Sequence, residues 1–563
     1  MPLPTTAPDA RAATGARTAD AVTAHTLLNC LIREVSAPEH QVTVDHGHLL
    51  LRLPRRGLLL RARLRRVSMI GAHRFQGPVE LLGDEGAWVT VGWRELAGHV
   101  QDELELRTGV ANGEFLDQVA DSRETIRTAL EHRAHGMPQQ DLYLTSEQSL
   151  VFGHRFHPTP KARTGDPADW LAYGPETGAR FRLRHLAVRR HLVQQEGELG
   201  ELDALCPPAD PEFVTLPVHP WQFRLLSRHE QLRAALAAGE VVDIGVSGPE
   251  WVPTASVRTL YQPDADTFLK FSLNVRLTNC VRKHARYELS GAVALNRLLQ
   301  PVMARLAACF PGCGLLAEPG YRTLAVDGDT ELLEGFGVVV RSGLRTHLRP
   351  GVTPLLAAAV ADEYPTSAAH VTHLLARGDG DVLAWWDAYL RLLLPPVLAA
   401  YFEHGVVLEP HLQNVVVGVD ADGTPVQILF RDLEGTKLLP HHHTHALAAL
   451  PEDVRGPLTY DAERGWNRVA YCLLVNHVAE VLGALADLDP AREPALWGLV
   501  RDRLEACAGS ADGPPRLRAL LSGVPLPAKA NLLLRWARKA DRHATYVPLT
   551  SPLVAGFPRE VPL

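Results

Sequence analysis

Several familiar signatures are missing from this sequence. There is no G-x-x-x-x-G-K-[ST], no G-x-G-x-x-G after a strand-like run, and no G-x-S-x-G. A P-loop enzyme, a dinucleotide oxidoreductase and an α/β-hydrolase all lose ground on that account. Cysteine is scarce: seven in 563 residues, with Cys309 and Cys313 the one close pair and no second pair to complete a zinc site. This implies a reducing compartment and no structural metal. No apolar run reaches the roughly 18 residues of a membrane span. The opening stretch MPLPTTAPDARAATGARTAD lacks the apolar core of a secretory signal. A cytoplasmic protein with no membrane partner is expected. Positive charge is not in excess either. A net charge of -7 argues against nucleic acid as a partner, because phosphate backbones select basic faces.

What is present is an ordinary globular composition, 46% hydrophobic and 21% charged. The length allows two to four structural units by the ~150-residue rule. Residues 1–18 are small, polar and Pro/Ala-rich and read as disordered. Helices are expected near 19–35 and 114–134, with short strands between 40 and 100. Strand-like runs recur at TLYQP, TFLKFSLNVRL and GFGVVVRSG. In TFLKFSLNVRL the alternation puts Phe268, Lys270, Ser272, Asn274 and Arg276 on one face. From about 350 the pattern turns helical. A long amphipathic helix in DVLAWWDAYLRLLLPPVLAAYFEHG should be interrupted near Pro395-Pro396, and VAYCLLVNHVAEVLGALA and PAKANLLLRWARKADRH also read as helices.

Within that helical half lies EPHLQNVVVGVDADGTPVQILFRD, residues 409–432. Two β-branched runs flank a D-A-D-G turn, which is a hairpin signal. Folding there gathers Glu409, His411, Gln413 and Asn414 beside Arg431 and Asp432. Carboxylate and amide oxygens at a hairpin mouth suit a Mg²⁺ ion held against phosphates. The plainer alternative is a polar-mouthed hairpin built of caps and ion pairs. A second cluster lies in residues 251–283: Ser256, Arg258, Thr259, Lys270, Thr278, Asn279, Arg282 and Lys283. A turn at Pro263–Asp266 would set Arg258 near Lys270. Two adjacent cations repel unless they share an anion or meet carboxylates, and a triphosphate is one such anion. The bland reading is a solvated sheet edge. A third segment, EQSLVFGHRFHPTPKARTG (147–165), is a basic loop punctuated by Gly and Pro that can close over phosphates. His219, between prolines in LPVHPWQ, reads as a packed histidine. His441-His442-His443 reads as an exposed helix start.

Together these segments resemble the aerobactin-synthetase (IucA/IucC) family, the siderophore synthetases that work without a nonribosomal peptide synthetase. The family's G-H-P-x-H-P-x-x-K-x-R loop appears as Gly153–Arg163, its H-P-W-Q as His219–Gln222 and its S-x-R-T as Ser256–Thr259. Its K-hydrophobic-S…T-N-x-x-R runs from Lys270 to Arg282, its E-x-H-x-Q-N is Glu409–Asn414, and its R-D is Arg431-Asp432. A tail match lies at Leu526–Ala530 and Tyr546–Leu553. Arg155 stands where Pro is usual, Ser342 where an acid is expected, and Ser551 where Asn is usual.

The resemblance implies an α+β fold likened to a cupped hand. Residues 1–140 would form a thumb-like domain, 141–350 a sheet-rich fingers domain carrying the ATP-binding motifs, and 351–563 a mostly helical palm carrying the 409–432 hairpin. It implies a homodimer. It further implies ATP- and Mg²⁺-dependent condensation of a carboxylic acid, citrate or a relative, with an amine, hydroxylamine or alcohol through an acyl-adenylate. On this reading His157, Lys161, Ser256, Arg258, Thr259, Lys270, Gln413, Asn414 and Asp432 bind ATP. Glu409, Asn414 and Asp432 hold the metal. Thr278, Asn279, Arg282 and His411 bind the acid, and Arg258, Lys270, Arg282 and His411 carry catalysis. Two other readings compete: a small-molecule kinase built on Asn414 and Asp432, which would release ADP, and a non-catalytic siderophore- or metabolite-binding protein.

Overall fold

The computed structural model describes residues 17–138, 141–278, 280–367, 370–509, 513–540 and 543–554. Asn279 and nearly all of the N-terminal stretch read as disordered lie outside them.

Helix Ala19–Leu31 starts at Thr18, whose side chain accepts from Ala21 N, and runs into a wider turn at Ile32–Ser36. It is buried on nearly every side. Five strands between Val42 and Val91 form an antiparallel meander in chain order. Helices Trp93–Thr108 and Phe115–Ala134 complete this unit. Its core of Leu27, Leu31, Leu49, Leu60, Leu96 and Phe115 also takes in Leu532 and Trp536 from the far end of the chain.

The middle of the chain forms an eight-stranded sheet, antiparallel throughout. At its centre lie Thr259–Gln262 and Thr267–Phe271, paired so that Thr259 faces Lys270. The stretch TFLKFSLNVRL is not one strand. It breaks at Ser272, whose hydroxyl donates to Glu334 O at 2.5 Å and accepts from His284 N at 2.9 Å. Those bonds take the chain out of the ladder, and Leu273–Leu277 pairs instead with Cys280–Arg282.

The hairpin forms where the D-A-D-G turn predicts, as strands Val415–Val419 and Pro425–Phe430. Gly423 has φ +79°, and a Cβ there would meet Leu374 O at 2.4 Å, so only glycine fits. The hairpin is the centre of a four-stranded sheet flanked by Cys313–Leu315 and Thr353–Leu356. This explains its unbroken β-branched runs: both strands are buried.

Two expectations need correction. Helix Val382–Phe402 passes through Pro395-Pro396 without interruption. Trp386, Tyr389, Leu390, Leu393 and Leu394 are fully buried in the main core, and that packing outweighs the lost backbone bonds. The tail PAKANLLLRWARKADRH is only partly helical: Leu526–Lys529 is a strand paired with Tyr546–Leu549, and the helix is Asn531–Trp536. Two helices, Val382–Phe402 and Ala462–Ala486, are long and apolar enough to cross a membrane by length and composition, yet both are packed mostly inside the protein.

Candidate active site

A cavity of about 960 Å³ lies where the sheet, the hairpin and the helices meet. It is at the upper end of the range for small-molecule sites. Every described residue assigned above to ATP, acid, metal or catalysis lines it. Segments separated by up to 275 positions, His157 to Asp432, thus share one wall.

The hairpin mouth is set by register. Val415 faces Phe430, and Arg431 N donates to Asn414 O at 3.0 Å, so Asn414 sits one residue from the level of Asp432. Arg431 is structural. Its guanidinium is buried and forks onto Glu147 at 2.5 and 3.2 Å, and its Nε donates to Gln413 O. With Arg431 locked inward, Asp432 turns outward in a left-handed conformation, φ +73°. Val257 and Thr278 also have positive φ, +68° and +54°. Left-handed backbone is costly for β-branched residues. Both line the cavity, so strain collects at the site.

Arg258 and Lys270 do lie side by side, and the anions that reconcile them are carboxylates. Lys270 Nζ is 2.5 Å from Asp432 Oδ1 and 2.8 Å from Glu434 Oε2. Arg258 Nη2 is 2.7 Å from the same Glu434 oxygen. Arg341 stands 3.6 Å from Asp432 and is anchored by Glu318. Burial alone would raise the pKa of Asp432 and Glu434. Lys270, with Arg341 or Arg258, outweighs it and holds both carboxylates ionised, well below the usual range. Burial likewise opposes charge on Lys270 and Arg258, and the two carboxylates overcome it and raise both pKa values.

Glu434 is a site residue that sequence reasoning missed. The signal was available: two neighbouring cations demand a counterion, and Glu434 follows Asp432 by two positions. Glu288, also on the cavity wall, was missed too. Burial and then Glu434 push its carboxyl up to about 7.

The basic loop turns at Gly153, φ +73°, where a Cβ would meet Pro160 at 2.9 Å. Lys161 Nζ is engaged by Glu176 at 2.5 Å, and Arg163 stands 3.7 Å from that carboxylate. Arg155, in place of the usual Pro, reaches away from the loop to Glu363 at 2.8 Å and to Glu480. His157 Nδ1 accepts from Thr159 N. Ser342 bridges two chain segments, its Oγ accepting from Ala317 N. The packed reading of His219 holds: it is fully buried against Tyr173, Phe181 and Phe271, and its Nδ1 accepts from Trp221 N. His441 and His442 are exposed ahead of helix Thr444–Ala448.

His411 is kept neutral chiefly by burial, against the pull of Glu409 and Asp432. Glu409 pairs with Arg468 at 3.2 Å. Arg282, Lys283, Arg468 and Lys529 place further cations on the cavity wall. The arrangement can bind a polyphosphate, hold a divalent cation at Asp432, and receive an anionic acid.

The model of the IucA / IucC family matches residues 142–362, and that of the ferric iron reductase FhuF-like transporter matches 383–544. The chain is 31% identical to the rhizobactin siderophore biosynthesis protein RhbC of Rhizobium meliloti, over 96% of this chain and 98% of that protein. It is 29% identical to the L-2,3-diaminopropanoate–citrate ligase of Staphylococcus aureus, over 70% and 72%. Among solved structures, ATP-bound aerobactin synthetase IucA of Klebsiella pneumoniae superposes with a TM-score of 0.84 at 25% identity, over 95% of this chain and 99% of that one.

Proposed function

This chain belongs to the IucA/IucC family, and from that premise we propose that it is an ATP-dependent synthetase of siderophore biosynthesis that joins citrate, or a closely related acid, to an amine. The observation that carries this reading is the single cavity holding the Arg258–Lys270 cation pair, the Asp432 hairpin and Arg282 together. The α+β cupped-hand fold is that of the synthetases it resembles.

In the first half-reaction a carboxylate oxygen attacks the α-phosphorus of ATP and pyrophosphate leaves. In the second, the amine nitrogen attacks the acyl carbon and AMP leaves. Charge develops on the phosphoryl oxygens, so the protein's task is positioned cations. Arg258 and Lys270, assisted by Ser256, Thr259, His157 and Lys161, bind the phosphates. Gln413 and Asn414 contact the nucleotide. Arg282 takes a carboxylate of the acid, with Thr278 and neutral His411 as hydrogen-bond partners. Asp432, Asn414 and Glu409 would hold Mg²⁺, and the ionised state of Asp432 fits a hard cation. When bound, the ion supplies charge neutralisation at the phosphates. As the family resemblance implies, the proposed enzyme acts in the cytoplasm as a homodimer.

The test is product release from ATP and Mg²⁺ with citrate, succinate or 2-oxoglutarate, with and without hydroxylamine. Acid-dependent pyrophosphate with hydroxamate is the expected result. ADP without pyrophosphate would replace the synthetase with a kinase. Arg282→Ala should lower pyrophosphate release about 10³-fold, ~4 kcal/mol of transition-state stabilisation. Near-normal turnover would remove Arg282 from the acid site.

A further inference from the structure

The cavity wall beside Arg258 and Lys270 carries more negative charge than those two cations balance. Asp432, Glu434 and Glu288 all line it. Asp432 and Glu434 share Lys270, and Glu434 also holds Arg258. Arg341, the further cation near Asp432, is already matched by buried Glu318. Glu288 is met by Ala285 N and Tyr287 Oη, and it forms no ion pair among the described residues. Three carboxylates therefore meet two cations. Glu434 reaches both through Oε2, and its Oε1 makes no hydrogen bond or ion pair among the described residues.

His284 stands at the same place. One of its ring nitrogens and one carboxylate oxygen each from Glu288 and Glu434 lie within 4.8 Å of one another. Two ligands of one first-row divalent ion stand roughly 3–4 Å apart, given bonds of ~2.0–2.2 Å, so shifts of about 1 Å would close the three on an ion. His284 is 1% exposed. Its Nε2 is 3.2 Å from Lys270 O. A carbonyl only accepts, so Nε2 carries the proton and Nδ1 keeps the lone pair. Nδ1 makes no hydrogen bond among the described residues. Other buried histidines use that lone pair: His219 Nδ1 accepts from Trp221 N, and His477 Nε2 accepts from Tyr389. An imidazole that donates one N–H to a backbone carbonyl and keeps its other nitrogen bare has the arrangement of a metal ligand. The neighbouring groups are held in place as well. His284 N donates to Ser272 Oγ at 2.9 Å, and Ala285 N and Tyr287 Oη donate to Glu288 at 2.8 and 3.3 Å.

We propose that His284, Glu288 and Glu434 form a divalent-cation site of their own, separate from the hairpin mouth, which takes a first-row transition ion (Mn²⁺, Fe²⁺ or Zn²⁺) in preference to Mg²⁺. An imidazole nitrogen beside two carboxylates suits such ions, whereas the all-oxygen set of Glu409, Asn414 and Asp432 suits Mg²⁺. The ion balances the excess of carboxylate beside Arg258 and Lys270. Its binding is read without ATP, so the site stands or falls apart from the synthetase reading.

The test is Mn²⁺ binding to the full-length, nucleotide-free protein, followed by electron paramagnetic resonance with Mg²⁺ in large excess to fill the hairpin site. A Mn²⁺ ion should remain bound, and its spin-echo spectrum should carry the coupling of a directly coordinated nitrogen. Glu288→Gln should weaken this ion at least about tenfold, ~1.4 kcal/mol. His284→Gln should abolish the nitrogen coupling, and should that variant fail to fold, Glu288→Gln carries the test alone. Asn414→Ala, which removes an oxygen from the hairpin set without changing the charge around Lys270, should leave the ion bound. No Mn²⁺ retained against Mg²⁺ would overturn the proposal. So would a retained ion without nitrogen coupling, or one that Glu288→Gln does not weaken, as for an ion on the exposed His441–His443 run. Release by Asn414→Ala would also overturn it, by placing the ion at the hairpin mouth.

Discussion

At the scale of single residues, the site is organised by buried charge pairs. Glu434 touches both Arg258 and Lys270, and on the proposed reading an ATP phosphate would meet the same two cations. Removing its charge leaves two buried cations under-compensated, a change that costs several kcal/mol when a buried ion pair is broken on one side. Glu434→Gln is therefore expected to lower the melting temperature of the nucleotide-free enzyme. Added ATP should restore more of that loss than it adds to the unaltered protein, because its phosphates replace the lost anion. Thermal melts with and without ATP read this directly. An equal ATP shift in both proteins would mean that Glu434 does not stand in for phosphate. Glu434 could have been inferred from Arg258 and Lys270 alone. The partners of Arg431 and Arg155 could not: Glu147 is 284 positions from Arg431, and Glu363 is 208 from Arg155, so nothing local announces either pair.

At the scale of elements, the hairpin and the helix through Pro395-Pro396 show opposite lessons. The hairpin was readable because a D-A-D-G turn and β-branched runs act over a few residues. The helix was misread because an interior Pro costs ~3 kcal/mol locally, a cost that burial of Trp386, Tyr389 and their neighbours outweighs only once distant chain is folded around them. The short helix Asn531–Trp536 follows the same rule. Six residues are too few to be stable alone. Trp536 is buried edge-on against Phe115 at 5.7 Å and donates to Thr108 Oγ1 at 2.9 Å, so the chain's end is pinned into its beginning. Trp536→Ala should cost about 3–5 kcal/mol by opening a cavity there. Urea unfolding would show it as a lower midpoint, and an unchanged midpoint would mean that the C-terminal helix does not support that core.

At the scale of the whole molecule, neutral buried histidines set a pH response. Burial lowers His73, His154 and His477 to about 4, and His219 and His284 to about 3. His477 is fixed neutral by its bonds: Nδ1 donates to Pro410 O at 2.8 Å and Nε2 accepts from Tyr389 at 2.6 Å. In the unfolded chain these groups take protons below the ordinary imidazole value of about 6.5, while in the folded protein they resist until pH 3–4. The unfolded state then binds more protons, so stability present above pH 6.5 falls as pH drops through that window. Glu34 and Asp362, pushed up to about 8 by burial, slope the opposite way over the same window. His477→Gln should therefore reduce the loss of unfolding free energy between pH 7 and pH 5 relative to the unaltered protein, read by chemical denaturation, and an unchanged difference would mean that His477 is not buried and neutral.

What the sequence determined by itself was chemistry and local shape. The turn, the strand runs, the polar mouth of the hairpin and the ordered motifs name the cations, amides and Asp432 that line the cavity, though not Glu434, Glu288 or Arg468, because residue type and short spacing carry that information. The tertiary structure decided which groups neutralise which. It placed Glu434 between two cations and locked Arg431 inward onto Glu147 beside Asp432. Those outcomes depend on pairings across hundreds of positions, and such pairings leave no trace in local pattern because the chain between them is free to vary.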